Sequence, residues 1–470
     1  MARKKLRTVL LLLIVLVFLP LLLARTAQAV PSFARQTRMP CTECHTVFPE
    51  LTPFGRIFKL GGYVLSKSGK PYELPPPLAG MAQISFTESK GLTSGVAPFD
   101  SADRGSDKIN LPQQLSLFFG GRIYDNVGAF VQGTYDGVSN KVFLDILDIR
   151  YSNNTVVWGK NLIYGLTLNN SPTAQDVWNT TPAWGFPYAS SSVASTPAAA
   201  AIIDGALGQQ VGGLGAYAFW NNLIYLEGTV YRTAGSGITK PLGAGTATEQ
   251  VVDGAAPYWR LALERRWKNH FLTLGTFGMQ ADIFPFGLRS GPADRFTDIA
   301  FDAQYQYMGT LGAEHMQGQM QMDAGQMPKA GKHIITAHAT WIHENQDWRA
   351  GFPLGNTTNP SDILNTFRMN LNYYYRIHSG DIGGSIGYFS TTGRIDRLLY
   401  PSIPVDGSRT GSPGSNGLIL ELGYRPWNKT KISLQYIIYD KFNGAHSDYD
   451  GFGRNASDNN ALYALIWFMF

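Results

Sequence analysis

Residues 298–307 and 367–376 alternate between two chemistries with a period of two. Asp298, Ala300, Asp302, Gln304 and Gln306 interleave with Ile299, Phe301, Ala303, Tyr305 and Tyr307. Arg368, Asn370, Asn372, Tyr374 and Arg376 interleave with Phe367, Met369, Leu371, Tyr373 and Tyr375. That period belongs to a strand whose two sides meet different media. A half-exposed soluble sandwich would also alternate. Here, though, large aromatics lie on the apolar side, as the lipid-facing girdles of a transmembrane barrel require. Many glycines (51), tyrosines (23) and phenylalanines (26) and a charged fraction of only 16% fit the same picture. No segment after the first 29 residues is long and apolar enough for a transmembrane helix. Only helices and closed barrels satisfy their backbone polar groups in hydrocarbon, so a strand protein in a membrane must be a closed barrel.

The connections alternate too. Tight turns are expected at Asp125-Asn126, Asn153-Asn154, Asn221-Asn222, Lys268-Asn269, His378–Asp381 and Pro426–Lys429. Between them run long polar stretches at 88–111, 170–208, 234–256, 282–296, 346–361, 392–415 and 441–460. Bacterial outer-membrane barrels have short periplasmic turns and long outer loops, and counting strands between these breaks gives about sixteen. The last strand, Ala461–Phe470, carries Leu462, Ala464, Ile466, Phe468 and the terminal Phe470 on one face, resembling the aromatic ending of outer-membrane proteins. The expected fold class is all-β: an antiparallel outer-membrane barrel over 78–470, with lipid as its partner.

Met1–Ala29 reads as a secretory signal: basic Arg3, Lys4, Lys5 and Arg7, an apolar run Val9–Leu23, then Ala27-Gln28-Ala29. With Arg25 it holds five basic and no acidic residues, so removing it takes the formal charge from +5 to 0. The basic balance belongs to export and is no argument for a nucleic-acid partner.

Residues 30–77 lie between signal and barrel and contain Cys41-Thr42-Glu43-Cys44-His45. Cys-x-x-Cys-His is the attachment site of a c-type haem: Cys41 and Cys44 bond to the porphyrin, and His45 is placed to be the proximal iron ligand. The motif uses both cysteines of the chain. A zinc site would want further Cys or His nearby, yet the next His is His270. A thioredoxin-like dithiol would sit in a βαβ pattern, which is absent. One covalent haem c is therefore the expected cofactor. Thr52-Pro53 reads as a helix N-cap and first position, and Gly61-Gly62 as its stop. Helix Pro53–Leu60 presents Arg56 and Lys59, either as partners for haem propionates or as solvated charges. Pro75-Pro76-Pro77 forms a stiff linker into the barrel. A segment this small cannot build its own core, so packing on the haem and the barrel wall is expected.

Ala29–Thr37 running into Cys41–His45, then Pro49-Glu50-Leu51-Thr52-Pro53-Phe54-Gly55-Arg56 and Phe58-Lys59-Leu60, resembles the fused cytochrome–porin family of outer-membrane iron oxidases. The stretch Gln175–Phe186 is also similar to that family. The resemblance implies a monohaem cytochrome fused to a porin, taking electrons from extracellular Fe(II). A soluble periplasmic cytochrome c or a cupredoxin would be the acceptor. Oxidised iron is insoluble near neutral pH, so oxidising it outside keeps mineral out of the periplasm. The electron must then cross an apolar slab about 25 Å tall.

The distal haem ligand is left open by the sequence. His338 shares a face with Thr336 and Thr340 and should point into the lumen, as a distal ligand or as a polar lining residue. His343 and Glu344 near the outer rim, and luminal Asp298 and Asp302, are Fe(II) contact candidates, since imidazole and carboxylate suit that ion; each equally suits a porin lining. Residues 309–332 hold His315, Met316, Met320, Met322 and Met327 where a short periplasmic turn is expected. Clustered thioethers suit Cu(I) or an adaptable docking surface, and the plain alternative is a flexible insertion.

Overall fold

The computed structural model describes residues 32–37, 39–64, 77–90, 108–233, 250–309, 332–377, 380–427 and 429–470. The signal and the Met-rich insertion lie outside the described residues, apart from the insertion's first and last positions. The strands run in chain order as β1 (Leu78–Ser89), β2 (Lys108–Tyr124), β3 (Val127–Asp136), β4 (Lys141–Val157) and β5 (Lys160–Asn169). They continue with β6 (Val211–Trp220), β7 (Ile224–Thr233), β8 (Ala256–Trp267), β9 (His270–Phe284), β10 (Asp294–Tyr307) and β11 (His333–Asp347). The last five are β12 (Ser361–Ile377), β13 (Gly380–Gly393), β14 (Ser415–Trp427), β15 (Thr430–Lys441) and β16 (Ala461–Met469). Val251–Val252 is a short extension of the β8 position that pairs with β9. Every neighbour is antiparallel, and β1 pairs with both β2 and β16, which closes the ring of sixteen.

Closure leaves no sheet edge, which is what hydrocarbon demands. The outward positions are apolar: Leu226, Leu261, Leu274, Ile299, Phe301, Met369, Leu371, Ile386, Leu420 and Leu422 are all exposed. A contiguous apolar surface of this extent marks a membrane-embedded face. Tyr151, Trp158, Trp267, Tyr373, Tyr424, Trp427 and Phe470 are exposed near the tight-turn end and form an aromatic belt there. The fold is a porin-like outer-membrane barrel.

Asn221 and Asn222 turn with φ of 53° and 51°, as their spacing predicts. The turn expected at Asn153-Asn154 is elsewhere. Both asparagines lie in β4, opposite Tyr164 and Ile163, and the chain reverses at Trp158-Gly159. A two-residue hairpin needs positive φ at both positions, and Trp158 (53°) and Gly159 (70°) supply it. The second departure is larger. Residues 170–208, expected to be an outer loop, fold back into the lumen, where Thr173, Ala174, Gln175, Asp176, Val177 and Trp178 are buried.

The described part of the N-terminal segment also packs inside the lumen, as three short helices: α1 (Ser32–Thr37), α2 (Cys41–Cys44) and α3 (Pro53–Leu60). Helix α3 forms as its sequence predicts, with Pro53 at its start and the Thr52 hydroxyl accepting from Gly55 N at 3.1 Å. Leu60, Val177, Trp178, Tyr217, Phe219 and Tyr225 form one buried cluster, which joins this segment, the inward loop and the wall into a single core. Gly128 on β3 allows the segment to sit that close: a Cβ there would lie 2.1 Å from the Gly62 carbonyl oxygen.

Candidate haem-binding site

The Cys-x-x-Cys-His motif is one helical turn followed by a reversal. His45 N donates to Cys41 O at 2.9 Å, Thr46 N to Glu50 O at 3.1 Å, and Thr52 N to Cys44 O at 2.9 Å. Residues 45–51 thus double back on the cysteines and deliver the chain to α3. Helix α3 crosses the motif at Gly55, where a Cβ would lie 2.2 Å from Cys44 O. Only glycine fits that backbone contact.

His45 is oriented by its own turn. Its Nδ1 lies 3.3 Å from the Pro49 carbonyl, which only accepts, so Nδ1 carries the proton and Nε2 keeps its lone pair. A ligating histidine held through its other nitrogen is the usual arrangement around metals. Burial pushes the His45 imidazole down to about 4, so it is neutral, the form that binds iron. Burial also pushes the Cys44 thiol up to about 12 and raises Cys41. Among the described residues no group of three or more His, Cys, Asp or Glu comes together to hold a metal ion. Covalent attachment to a porphyrin leaves no thiolate to desolvate, and the residues fit that group better than zinc.

Beside the two cysteines and His45 the lumen opens into a cavity of about 480 Å³. That is within the range, roughly 300–1,000 Å³, of pockets that enclose a ligand of drug-like size. Phe33, Phe58, Phe118, Phe130, Trp184 and Trp467 give it apolar walls, and Tyr63 and Tyr188 add phenol rings. Gln83, Gln114, Gln132, Asp145 and Lys59 give it a polar part. A flat, largely apolar macrocycle with two carboxylates matches this division. The other lumen cavities described, about 20 and 10 Å³, are far too small for it.

Of the two cations expected to meet propionates, only Lys59 lines the cavity. Its Nζ donates to the Ala174 and Asp176 carbonyls, both at 2.8 Å, and lies 4.5 Å above the Trp184 ring. Burial pushes it down to about 7. Arg56 turns away to the wall: Nη1 donates to Gln304 (3.2 Å) and Gln306 (3.0 Å), and Nε lies 3.2 Å from Glu264. It is neither a propionate partner nor a solvated charge but an anchor for α3.

His338 points into the lumen, as its face predicts, yet it does not line the cavity beside His45. Its ring nitrogens lie 3.2 Å from Gln304 Nε2 and 3.3 Å from Asn370 Nδ2, and the inward loop stands between it and the cavity. The expectation of a distal ligand there fails for this reason. The four Fe(II) contact candidates do not form a site either. His343 lies on the outward face, stacked on Trp341 and 2.8 Å from Asn365 Oδ1, while Glu344 faces inward. Glu344 accepts from Ile202 N at 2.5 Å and Asp298 from Ile203 N at 3.2 Å, so this pair holds the inward loop. Asp302 is 2.8 Å from Arg260, which also lies 3.2 Å from Asp176 of that loop. These carboxylates are structural clasps.

Sequence reasoning missed the wall contributed by Trp184 and Tyr188. The signal available was a loop with Trp178, Trp184, Phe186 and Tyr188 but no Lys, Arg or Glu over 170–210, an unusual composition for a water-exposed loop.

No protein-family model matches this chain, and no curated protein matches it. Solved structures of similar shape are outer-membrane proteins. Outer-membrane expressed OmpT of Vibrio cholerae is 7% identical, with a TM-score of 0.43 over 84% of this chain and 97% of that one. Salmonella typhi OmpF in complex with daunomycin is 13% identical, TM-score 0.41, over 84% and 97%. The outer membrane channel DcaP of Acinetobacter baumannii is 10% identical, TM-score 0.43, over 84% and 96%.

Proposed function

We propose that this barrel is an outer-membrane electron conduit of the cytochrome–porin kind, which accepts one electron at a time from extracellular Fe(II) through a single haem c. The observation that carries the reading is the lumen cavity lined by Cys41, Cys44 and a His45 whose Nδ1 is already engaged by the Pro49 carbonyl. The haem supplies one-electron cycling of its iron. Cys41 and Cys44 hold it covalently, His45 ligates the iron, and Lys59 lies at the cavity wall for a propionate. The aromatic walls keep water from the ring. The inward loop, clasped by Asp298, Glu344 and Arg260, keeps the lumen packed on the long-loop side.

With short turns in the periplasm, Gly80 and Met469 put one end of the cavity at the periplasmic side. A soluble cytochrome c or a cupredoxin is the acceptor there. Anaerobic mixing of the purified protein with Fe(II) tests the proposal: the haem absorption should change to that of the reduced form with one iron oxidised per haem. A haem that dithionite reduces and Fe(II) leaves oxidised contradicts iron as donor.

The same architecture with another extracellular donor predicts haem reduction by that donor alone. A diffusion porin with a haem plug predicts solute flux and no response to external reductants.

A further inference from the structure

The cavity lies below the inward loop, and the proposed donor arrives above it, so the electron needs a path between them. One side of the lumen provides two groups of packed rings that share a buried cluster. Tyr188, at the cavity wall, stands edge-on to Phe186 with centroids 5.7 Å apart. Phe186 belongs to a buried cluster with Tyr439, Phe442 and Tyr449, against which Phe389 packs. Within that cluster the centroids of Tyr439 and Phe442 are 4.9 Å apart, and those of Phe442 and Tyr449 4.8 Å. Tyr439 is near the long-loop end of β15, and Phe442 and Tyr449 lie in the segment that follows, 442–460. Phe442 and Tyr449 are fully buried, and the Tyr449 hydroxyl donates to Val405 O at 2.7 Å. The rings therefore form two contacting groups, Tyr188–Phe186 beside the cavity and Tyr439–Phe442–Tyr449 at the outer loops, joined through the one buried cluster that Phe186 shares with Tyr439, Phe442 and Tyr449.

Packing alone does not require this composition. Leucine and isoleucine fill a core as well as rings do, and Ile419 and Ile437 do so in the same cluster. Rings in contact add something aliphatic chains lack: low-lying π orbitals that couple donor and acceptor electronically across the intervening distance. The inward loop then has a second consequence, because it carries Phe186 and Tyr188 down to the cavity.

We propose that Tyr449, Phe442, Tyr439, Phe186 and Tyr188 form the electron route from the extracellular loops to the haem. This rests on the conduit reading above. In each event one extracellular Fe(II) becomes Fe(III) and the haem iron passes from Fe(III) to Fe(II). The rings mediate by tunnelling and end unchanged, and the periplasmic acceptor removes the electron.

The test is stopped-flow reduction of the full-length holoprotein by Fe(II), comparing Phe442→Leu, Tyr449→Leu, Tyr449→Phe and Phe186→Leu. Haem spectrum, midpoint potential and heat-modifiable gel mobility are measured for each. With those unchanged, the three leucine variants should be reduced at least about tenfold more slowly than wild type. Tyr449→Phe, which keeps the ring, should retain the wild-type rate. Phe186→Leu acts near the cavity and Phe442→Leu near the loops, so failure of one variant to fold leaves the other to decide. Folded leucine variants reduced at the wild-type rate overturn the route, as does a Tyr449→Phe variant as slow as Tyr449→Leu. A wild-type protein that Fe(II) does not reduce overturns the iron reading instead. The same variants with whichever one-electron donor does reduce it from outside then decide the route.

Discussion

Cys44 and Gly55 carry the sharpest consequences of single side chains. Cys44→Ala removes one thioether, so a denaturing gel of the variant should lack a haem-stained peroxidase band at the size of this chain. A surviving band would refute the attachment argument. Gly55→Ala places a methyl where Cys44 O already is, and backbone on both sides cannot yield cheaply. The variant should insert as a normal heat-modifiable barrel but bind haem poorly, read as the haem-to-protein absorbance ratio. Wild-type haem content in Gly55→Ala would show that α3 does not set the motif's geometry. At this scale the sequence was legible where chemistry is local. The Cys-x-x-Cys-His motif, the Thr52 cap and the luminal face of His338 all follow from neighbours in the chain. The partner of Arg56 did not, because Glu264, Gln304 and Gln306 approach it from β8 and β10, far off in sequence.

Among elements, the strands were the most legible and the inward loop the least. Strand alternation records two media directly, whereas a loop's direction is decided by clasps that form only in the closed barrel. Arg260 is the central clasp, bridging Asp302 of the wall and Asp176 of the loop. Removing one member of a buried ionic group leaves uncompensated charge, at about 3–5 kcal/mol. Arg260→Met should therefore lower the temperature at which the folded, heat-modifiable band is lost, while Arg349→Met, at an exposed pair, should leave it unchanged. Equal effects would mean the loop is not held by its charges. Deleting residues 172–207 should leave the ring of strand pairs intact and open the lumen. Planar-bilayer conductance should then rise well above that of the full chain. A deletion variant as impermeable as the parent would assign the seal to other segments. The expected Fe(II) contacts at Asp298, Asp302 and Glu344 fail at the same scale, because the loop backbone and Arg260 already occupy them.

For the whole molecule, the closed ring puts the start of β1, the end of β16 and the short turns on one side of the membrane and the long connections on the other. The cavity at the cysteine motif sits inside the wall between them. The lipid-facing apolar surface, the packed lumen and the cavity of about 480 Å³ at the cysteine motif are the features on which the proposed conduit rests. Its most direct test uses intact cells that make the protein, supplied anaerobically with Fe(II) held on a polymer too large to enter the outer membrane. The haem band of the cells should shift to the reduced form, and the Cys44→Ala strain should show no such shift. A haem that responds only after the cells are lysed would contradict the conduit.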